Sequence, residues 1–196
     1  MSDTAQLEVR SADLVLRAQA GDAAAREELL ARCHGTIRRW VGVLIADADD
    51  VEDVAQEVLI RVALQLGGYA GRARFTTWLY QVTRNTALSL RRRVFRRLRL
   101  AGEVSARTEQ DRLTDPLEEA EASELRTVVA TLFRELPQRQ REVFYLVDIE
   151  GNDAVEIAPR LGLRPVTVRA HLFRARRALR TKILERHPEI AEEFRP

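Results

Sequence analysis

Apolar residues in this chain recur at intervals of three and four, and no run shows the sustained period-two alternation of a half-buried strand, so the fold is expected to be all α. Val51, Val54, Ala55, Val58, Leu59 and Val62 give the clearest case, following the i, i+3, i+4, i+7, i+8, i+11 pattern of one buried helix face. Upstream, Leu14, Leu16, Ala18, Ala25, Leu29 and Leu30 predict a helical pair broken near Gly21-Asp22, and Ile37, Val41 and Leu44 continue into another helix. Asp47 to Asp50 then supplies a turn and capping residues. Three glycines between Gly67 and Gly71 predict a flexible loop, after which a helix runs from about Phe75 through Asn85. Periodicity fades from Ala101 to about Ala122, where Pro116 discourages a continuous helix, and resumes with Leu125, Val128, Val129, Leu132, Phe133 and Leu136. That helix closes at Pro137, and Gln138 to Asp148 forms the next.

A chain of 196 residues holds one ordinary domain or two small ones, and the break in periodicity favours two. The fractions of hydrophobic (45%) and charged (32%) residues suit a globular protein with strongly ionic surfaces. No stretch approaches the ~20 continuous apolar residues that span a bilayer, and Met1 to Arg10 lacks a signal peptide's apolar stretch. The chain is therefore expected to be cytoplasmic, with no membrane insertion of its own. Cys33, the one cysteine, excludes an internal disulfide framework and a multi-cysteine zinc site. With His34 it is read as a semi-buried structural pair rather than a metal or redox site, because adjacent helical side chains point about 100° apart.

Charge is distributed in blocks that the net value of +2 conceals. All but Lys182 of the 32 basic residues are arginines, whose forked guanidinium suits phosphates and guanine edges. Arg84, Arg91, Arg92, Arg93, Arg96, Arg97 and Arg99 form a first block without an intervening acid. Arg160, Arg164, Arg169, Arg174, Arg176, Arg177, Arg180 and Lys182 form a second. Between them Glu103, Glu109, Asp111, Asp115, Glu118, Glu119 and Glu121 outnumber Arg107 and Arg112. Like charge left uncompensated over a whole helix costs stability unless a polyanion neutralises it, so both basic blocks point to nucleic acid.

Three surfaces stand out. Opposite the buried face of the Val51 helix lie Asp53, Gln56, Glu57 and, among them, Ile60. An isoleucine exposed among acids fits a docking surface, and equally the isolated apolar residue common on protein surfaces. The helix from Phe75 places Phe75, Trp78, Leu79, Val82, Thr86 and Leu90 on one face and Thr77, Tyr80, Gln81, Arg84, Arg91 and Arg92 on the other, an aromatic, polar and cationic face suited to nucleic acid. Core packing is favoured over base contact for Trp78, with Tyr80, Gln81 and Arg84 as the exposed partners. The third surface belongs to a helix-turn-helix pattern over 154–173. Asn152 caps a short helix from Asp153 to Ala158, Gly162 permits the tight turn, and Pro165 opens a long arginine-rich helix. Val168, Leu172, Ala175 and Leu179 face inward, while Arg169, Ala170, Phe173, Arg174 and Arg177 face outward. A recognition helix reads bases with its N-terminal residues, so Thr167, Arg169, Ala170 and Arg174 are base-contact candidates, with Arg176, Arg177 and Arg180 on phosphates.

These segments, in this order, resemble the extracytoplasmic-function (group 4) sigma factors. Leu16-Arg17-Ala18-Gln19-Ala20-Gly21-Asp22 resembles the family's opening, and Asp50-Val51-Glu52-Asp53-Val54-Ala55-Gln56-Glu57-Val58 its polymerase-docking helix. Phe75-Thr76-Thr77-Trp78-Leu79-Tyr80 with Arg84-Asn85 resembles the segment that melts and reads the minus-ten element. Leu136-Pro137-Gln138-Arg139-Gln140-Arg141-Glu142-Val143-Phe144 and Arg174-Ala175-Arg176 resemble the domain that reads the minus-thirty-five element.

The resemblance implies a region 2-like domain over 1–100, an acidic linker over 101–122 and a region 4-like domain over 123–196. It implies core RNA polymerase contacts at Asp50, Asp53, Gln56, Glu57 and Ile60, and minus-ten contacts, to melted single strand, at Arg72, Arg74, Thr77, Tyr80, Gln81, Arg84, Asn85, Arg91 and Arg92. For duplex minus-thirty-five DNA it implies Arg164, Thr167, Arg169, Ala170, His171, Arg174, Arg176 and Arg177. An anti-sigma factor is the further implied partner; no cofactor or catalysis is. The linker is either a tether or, by resemblance, a segment threading toward the polymerase active centre. Two positions depart from the pattern: Pro159, which predicts a shortened or kinked first helix, and His171, where the family often has arginine. A conventional helix-turn-helix regulator would leave the first hundred residues unexplained. An enzyme finds no support in the isolated His34, His171 and His187, and no GxxxxGK[ST] loop is present.

Overall fold

Asp22 begins the central helix of the N-terminal unit by accepting the Ala25 amide on Oδ1 at 3.0 Å, and Arg17 forks onto its other oxygen at 3.0 and 2.7 Å. The computed structural model describes residues 3–45, 50–100 and 124–188, excepting the side chains of 3, 94–100 and 124–127. Of the turn expected at 47–50 all but Asp50 lies outside them, as do the acidic segment 101–122 and the Leu125 side chain. Every regular element among the described residues is helical. The chain divides into two units meeting between Thr114 and Asp115.

The first unit contains α1 (Asp3–Gln19), α2 (Ala23–Leu44), α3 (Val51–Gln65) and α4 (Phe75–Leu100), with a single 3-10 turn at Leu66–Gly68. Helix α2 packs against the other three. Leu29, Cys33, Ile37, Trp40, Val41 and Leu44 bury one continuous stripe of it, the spacing of a core-facing helix. Cys33 sits within this stripe as a packed, buried side chain, where burial pushes its thiol up to about 12 and disfavours the thiolate. His34 instead turns outward, with Nε2 3.0 Å from Glu52 of α3. Helix α3 buries Val54, Ala55, Val58 and Val62, while Val51 and Leu59 are half-buried. Leu16, counted with the apolar pattern of α1, is exposed beside the buried Leu14 and Val15.

The second unit contains α5 (Glu124–Arg134), α6 (Gln138–Phe144), a π turn (Tyr145–Ile149), α7 (Ala154–Leu161) and α8 (Pro165–Arg186). Leu132, Leu136, Ala175 and Leu179 form its core with Val128, Phe133, Phe144, Ala178 and Ile183. Lys182 and Arg186 of α8 pair with Glu135 after α5, and together they hold its carboxyl below the usual range. The cap of α7 is Asp153 rather than Asn152: Asp153 Oδ1 accepts the Val155 amide at 2.7 Å, and Glu156 returns a bond to the Asp153 amide. Asn152 instead ties the preceding turn, donating to the Leu146 carbonyl at 2.8 Å and to Glu150 at 3.1 Å. Helix α7 runs through Pro159 and ends at Gly162, whose φ of 64° is the left-handed conformation that glycine adopts without a Cβ penalty.

Candidate nucleic-acid and protein interfaces

On α3, one turn of acids gives way to an apolar patch. Asp53 and Gln56 are exposed, Glu57 pairs with Arg61 at 3.0 Å, and Asp50 precedes the helix, its carbonyl accepting the Val54 amide at 2.9 Å. Ile60 is 55% exposed and Leu64, one turn on, 77%. Leu64 is the member of this face missing from the sequence reading, although its i+4 spacing from Ile60 places it there. Two large aliphatics side by side make a patch rather than an isolated residue.

Helix α4 sorts its aromatic residues differently from the sequence expectation. Tyr80, expected on the exposed face, is 2% exposed and meets Trp40 edge-on, with centroids 5.0 Å apart at 83°. Because α4 packs against α1, α2 and α3, its buried arc is wider than a single stripe. Trp78, expected in the core, is half-buried and joins Tyr69 and Phe75 in an aromatic group with centroids 5.3 to 5.8 Å apart. It lines a cavity of about 380 Å³ with Arg61 and Gln65 of α3 and Gln81, Asn85 and Arg93 of α4. Such a volume, with an aromatic wall, amide groups and two guanidiniums, suits a planar polar ring beside a phosphate. Gln81 and Asn85 are exposed; Thr77, Arg84 and Arg91 are half-buried. Arg92 is exposed, with Nε donating to the Leu88 carbonyl at 3.1 Å. Arg72 and Arg74 are exposed on the loop before α4, where Gly71 takes a φ of 67°.

In the second unit, the inward face of α8 is Val168, Leu172, Ala175 and Leu179, all buried. Arg169, Arg174, Arg177 and Arg180 are exposed, and none of them pairs with an acid among the described residues. Arg164 is exposed at the N-cap, Thr167 and Ala170 are half-buried, and Val166 and Phe173 add exposed apolar surface along the same helix. Arg176 is committed elsewhere: it forks onto Asp148 of the π turn at 2.9 and 2.6 Å. His171 is half-buried, and its Nδ1 is buried with no hydrogen-bond partner. Burial first, then the nearby Arg139 and Arg174, lower its pKa below 6.5, with Glu142 opposing. The lowered pKa disfavours the charged imidazole, so a phosphate contact at His171 rests on a neutral ring N–H rather than on charge.

A helix-turn-helix with exposed arginines along its second helix, and a separate helical unit with a guanidinium-lined cavity and an acidic face on α3, define a two-unit helical protein with surfaces suited to nucleic acid. Known proteins supply the family. The model of Sigma-70 region 2 matches residues 29–97, and that of Sigma-70 region 4 matches residues 126–179. The chain is 30% identical over 177 residues to the ECF RNA polymerase sigma-E factor of Escherichia coli, covering 87% of this chain and 92% of that one. It is also 30% identical over 182 residues to the probable RNA polymerase sigma factor RfaY of Xanthomonas campestris; that match covers 91% of this chain but only 45% of the longer relative. In fold it is similar to the sigma factor RpoE of Bartonella quintana, solved in complex with the anti-sigma factor NepR, with a TM-score of 0.67 at 19% identity, covering 82% of this chain and 97% of that one. The chain belongs to the family of extracytoplasmic-function RNA polymerase sigma factors.

Proposed function

We propose that this sigma factor brings core RNA polymerase to a defined set of promoters by dividing three contacts among three helices. Helix α3 docks on the polymerase through Asp53, Gln56, Glu57, Ile60 and Leu64, with Asp50 at its start. The aliphatic pair supplies area removed from water, and the acids supply orientation and on-rate. Helix α4 and the loop before it capture unpaired minus-ten bases in the cavity, with Trp78 as the stacking wall, Gln81 and Asn85 as hydrogen-bonding groups, and Arg72, Arg74, Arg84, Arg91 and Arg92 along the backbone. Thr77 adds a polar contact. Tyr80 is set aside as a core residue.

Helix α8 enters the major groove at the minus-thirty-five element. Thr167, Arg169, Ala170 and Arg174 lie at base edges, Arg164 and Arg177 at phosphates, and Arg176 acts chiefly through Asp148. Residues 101–122 tether the domains at 1–100 and 123–196. An anti-sigma factor, the class of partner seen with the Bartonella quintana relative, silences the chain by covering these surfaces. The role is that of a non-enzymatic adaptor in the cytoplasm, where polymerase and promoters meet.

The observation that carries this reading is that one chain holds both family regions, 2 at 29–97 and 4 at 126–179. Asp53→Arg with Glu57→Arg is expected to abolish association with core polymerase in a pull-down while circular dichroism stays unchanged. Full association would refute the docking face. Arg169→Ala and Arg174→Ala are each expected to weaken promoter binding by the holoenzyme by about 1–3 kcal/mol, unequally across base-substituted promoters. An equal loss on all promoters would reassign both to phosphates.

A further inference from the structure

The first amides of α4 are capped from a distant helix. Glu8 of α1 accepts the Phe75 amide on Oε1 at 3.0 Å and the Thr76 amide on Oε2 at 2.8 Å. Both amides belong to the first turn of a helix, which has no intrahelical acceptor for them, and the carboxylate also meets the positive end of the helix dipole. Further along α1, Gln19 donates through Nε2 to the Leu66 carbonyl at 2.9 Å and the Tyr69 carbonyl at 2.7 Å. Helix α1 therefore grips the glycine-rich segment between α3 and α4 at both ends. Within that segment the Tyr69 hydroxyl donates to the Ala73 carbonyl at 2.6 Å. Burial and then the charge of Glu8 raise the Tyr69 pKa above its ordinary value. The Tyr69 ring meets Phe75 and Trp78, so a contact path runs from Glu8 through Phe75 to the wall of the cavity.

We propose that Glu8 and Gln19 are positioning residues for base capture, fixing the loop and the start of α4 so that Trp78, Gln81 and Asn85 meet an unpaired base in one geometry. The inference rests on reading the α3–α4 cavity as the base-capturing site. Neither residue touches DNA in this scheme; they act through the backbone of residues 66–76.

The test uses the full chain bound to core polymerase as wild type, Glu8→Gln and Gln19→Ala. Each selects from a single-stranded DNA pool carrying a randomised segment, and the bound molecules are sequenced. Glu8→Gln turns one acceptor into a donor facing an amide and so breaks the two-pronged cap. Gln19→Ala removes an exposed amide and decides alone if Glu8→Gln does not fold. Both variants are expected to bind polymerase like wild type while discrimination among bases falls about fivefold, the size of a lost cap. A purely structural role lowers the melting temperature and leaves base preference intact. Wild-type preference kept by the variants overturns the inference and leaves the cavity reading standing; no preference in the wild type overturns both.

Discussion

Tyr80 and Trp78 lie two positions apart on α4 and serve different parts of the molecule. Tyr80 closes the core against Trp40, so Tyr80→Ala is expected to cost about 3–5 kcal/mol of stability in denaturant unfolding. Trp78→Ala is expected to cost less than that and to lower affinity for single-stranded minus-ten DNA by about 1–3 kcal/mol, the range for a lost stacking platform. Equal stability losses with unchanged DNA affinity would return Trp78 to the core. His171 gives the second residue-scale prediction. Its pKa is lowered in the folded state, so the unfolded chain binds more protons as pH falls through 6.5. Folding stability from this residue is intact above that pH and declines below it. Thermal unfolding from about pH 7.5 to about pH 5.5 is expected to show a smaller acid loss in His171→Gln than in wild type. Identical slopes would contradict the buried environment.

Elements follow the sequence where the buried positions make a single narrow stripe and depart from it where the buried arc is wide. Helix α8 could be read correctly because Val168, Leu172, Ala175 and Leu179 make a single stripe. Helix α4 could not, because its buried arc takes in Thr76, Tyr80 and Thr83 as well as the expected face. The Glu8 cap joins residues 67 and 68 positions apart, a separation at which no local pattern exists. The π turn that brings Asp148 to Arg176 is likewise set by packing rather than by a residue signature. Pro159 did not end α7. The acceptor it forgoes is the carbonyl of exposed Val155, near the helix start where water substitutes, and the Asp153 capping box holds that turn. Pro159→Ala is expected to raise the unfolding free energy of the second unit by at most about 3 kcal/mol, seen as a higher midpoint in calorimetry; a lower midpoint would show that the ring packs favourably.

For the whole molecule, the placing of the proposed contact surfaces on separate helices is the main property. The three apolar and charged faces lie on α3, α4 and α8, and two of these helices belong to one unit and the third to the other. Under the proposed assignment of α4 and α8 to two promoter elements, both contacts are required at once, since linking two modest contacts raises the overall affinity above either alone. The order of motifs made the family legible in the sequence, with region 2 matched at 29–97 and region 4 at 126–179. The most direct measurement is genome-wide run-off transcription with core RNA polymerase reconstituted with the full chain, on genomic DNA of its source organism. Discrete start sites, each preceded by a shared pair of elements and absent with core polymerase alone, are the predicted result. Transcription indistinguishable from core polymerase alone would contradict the account.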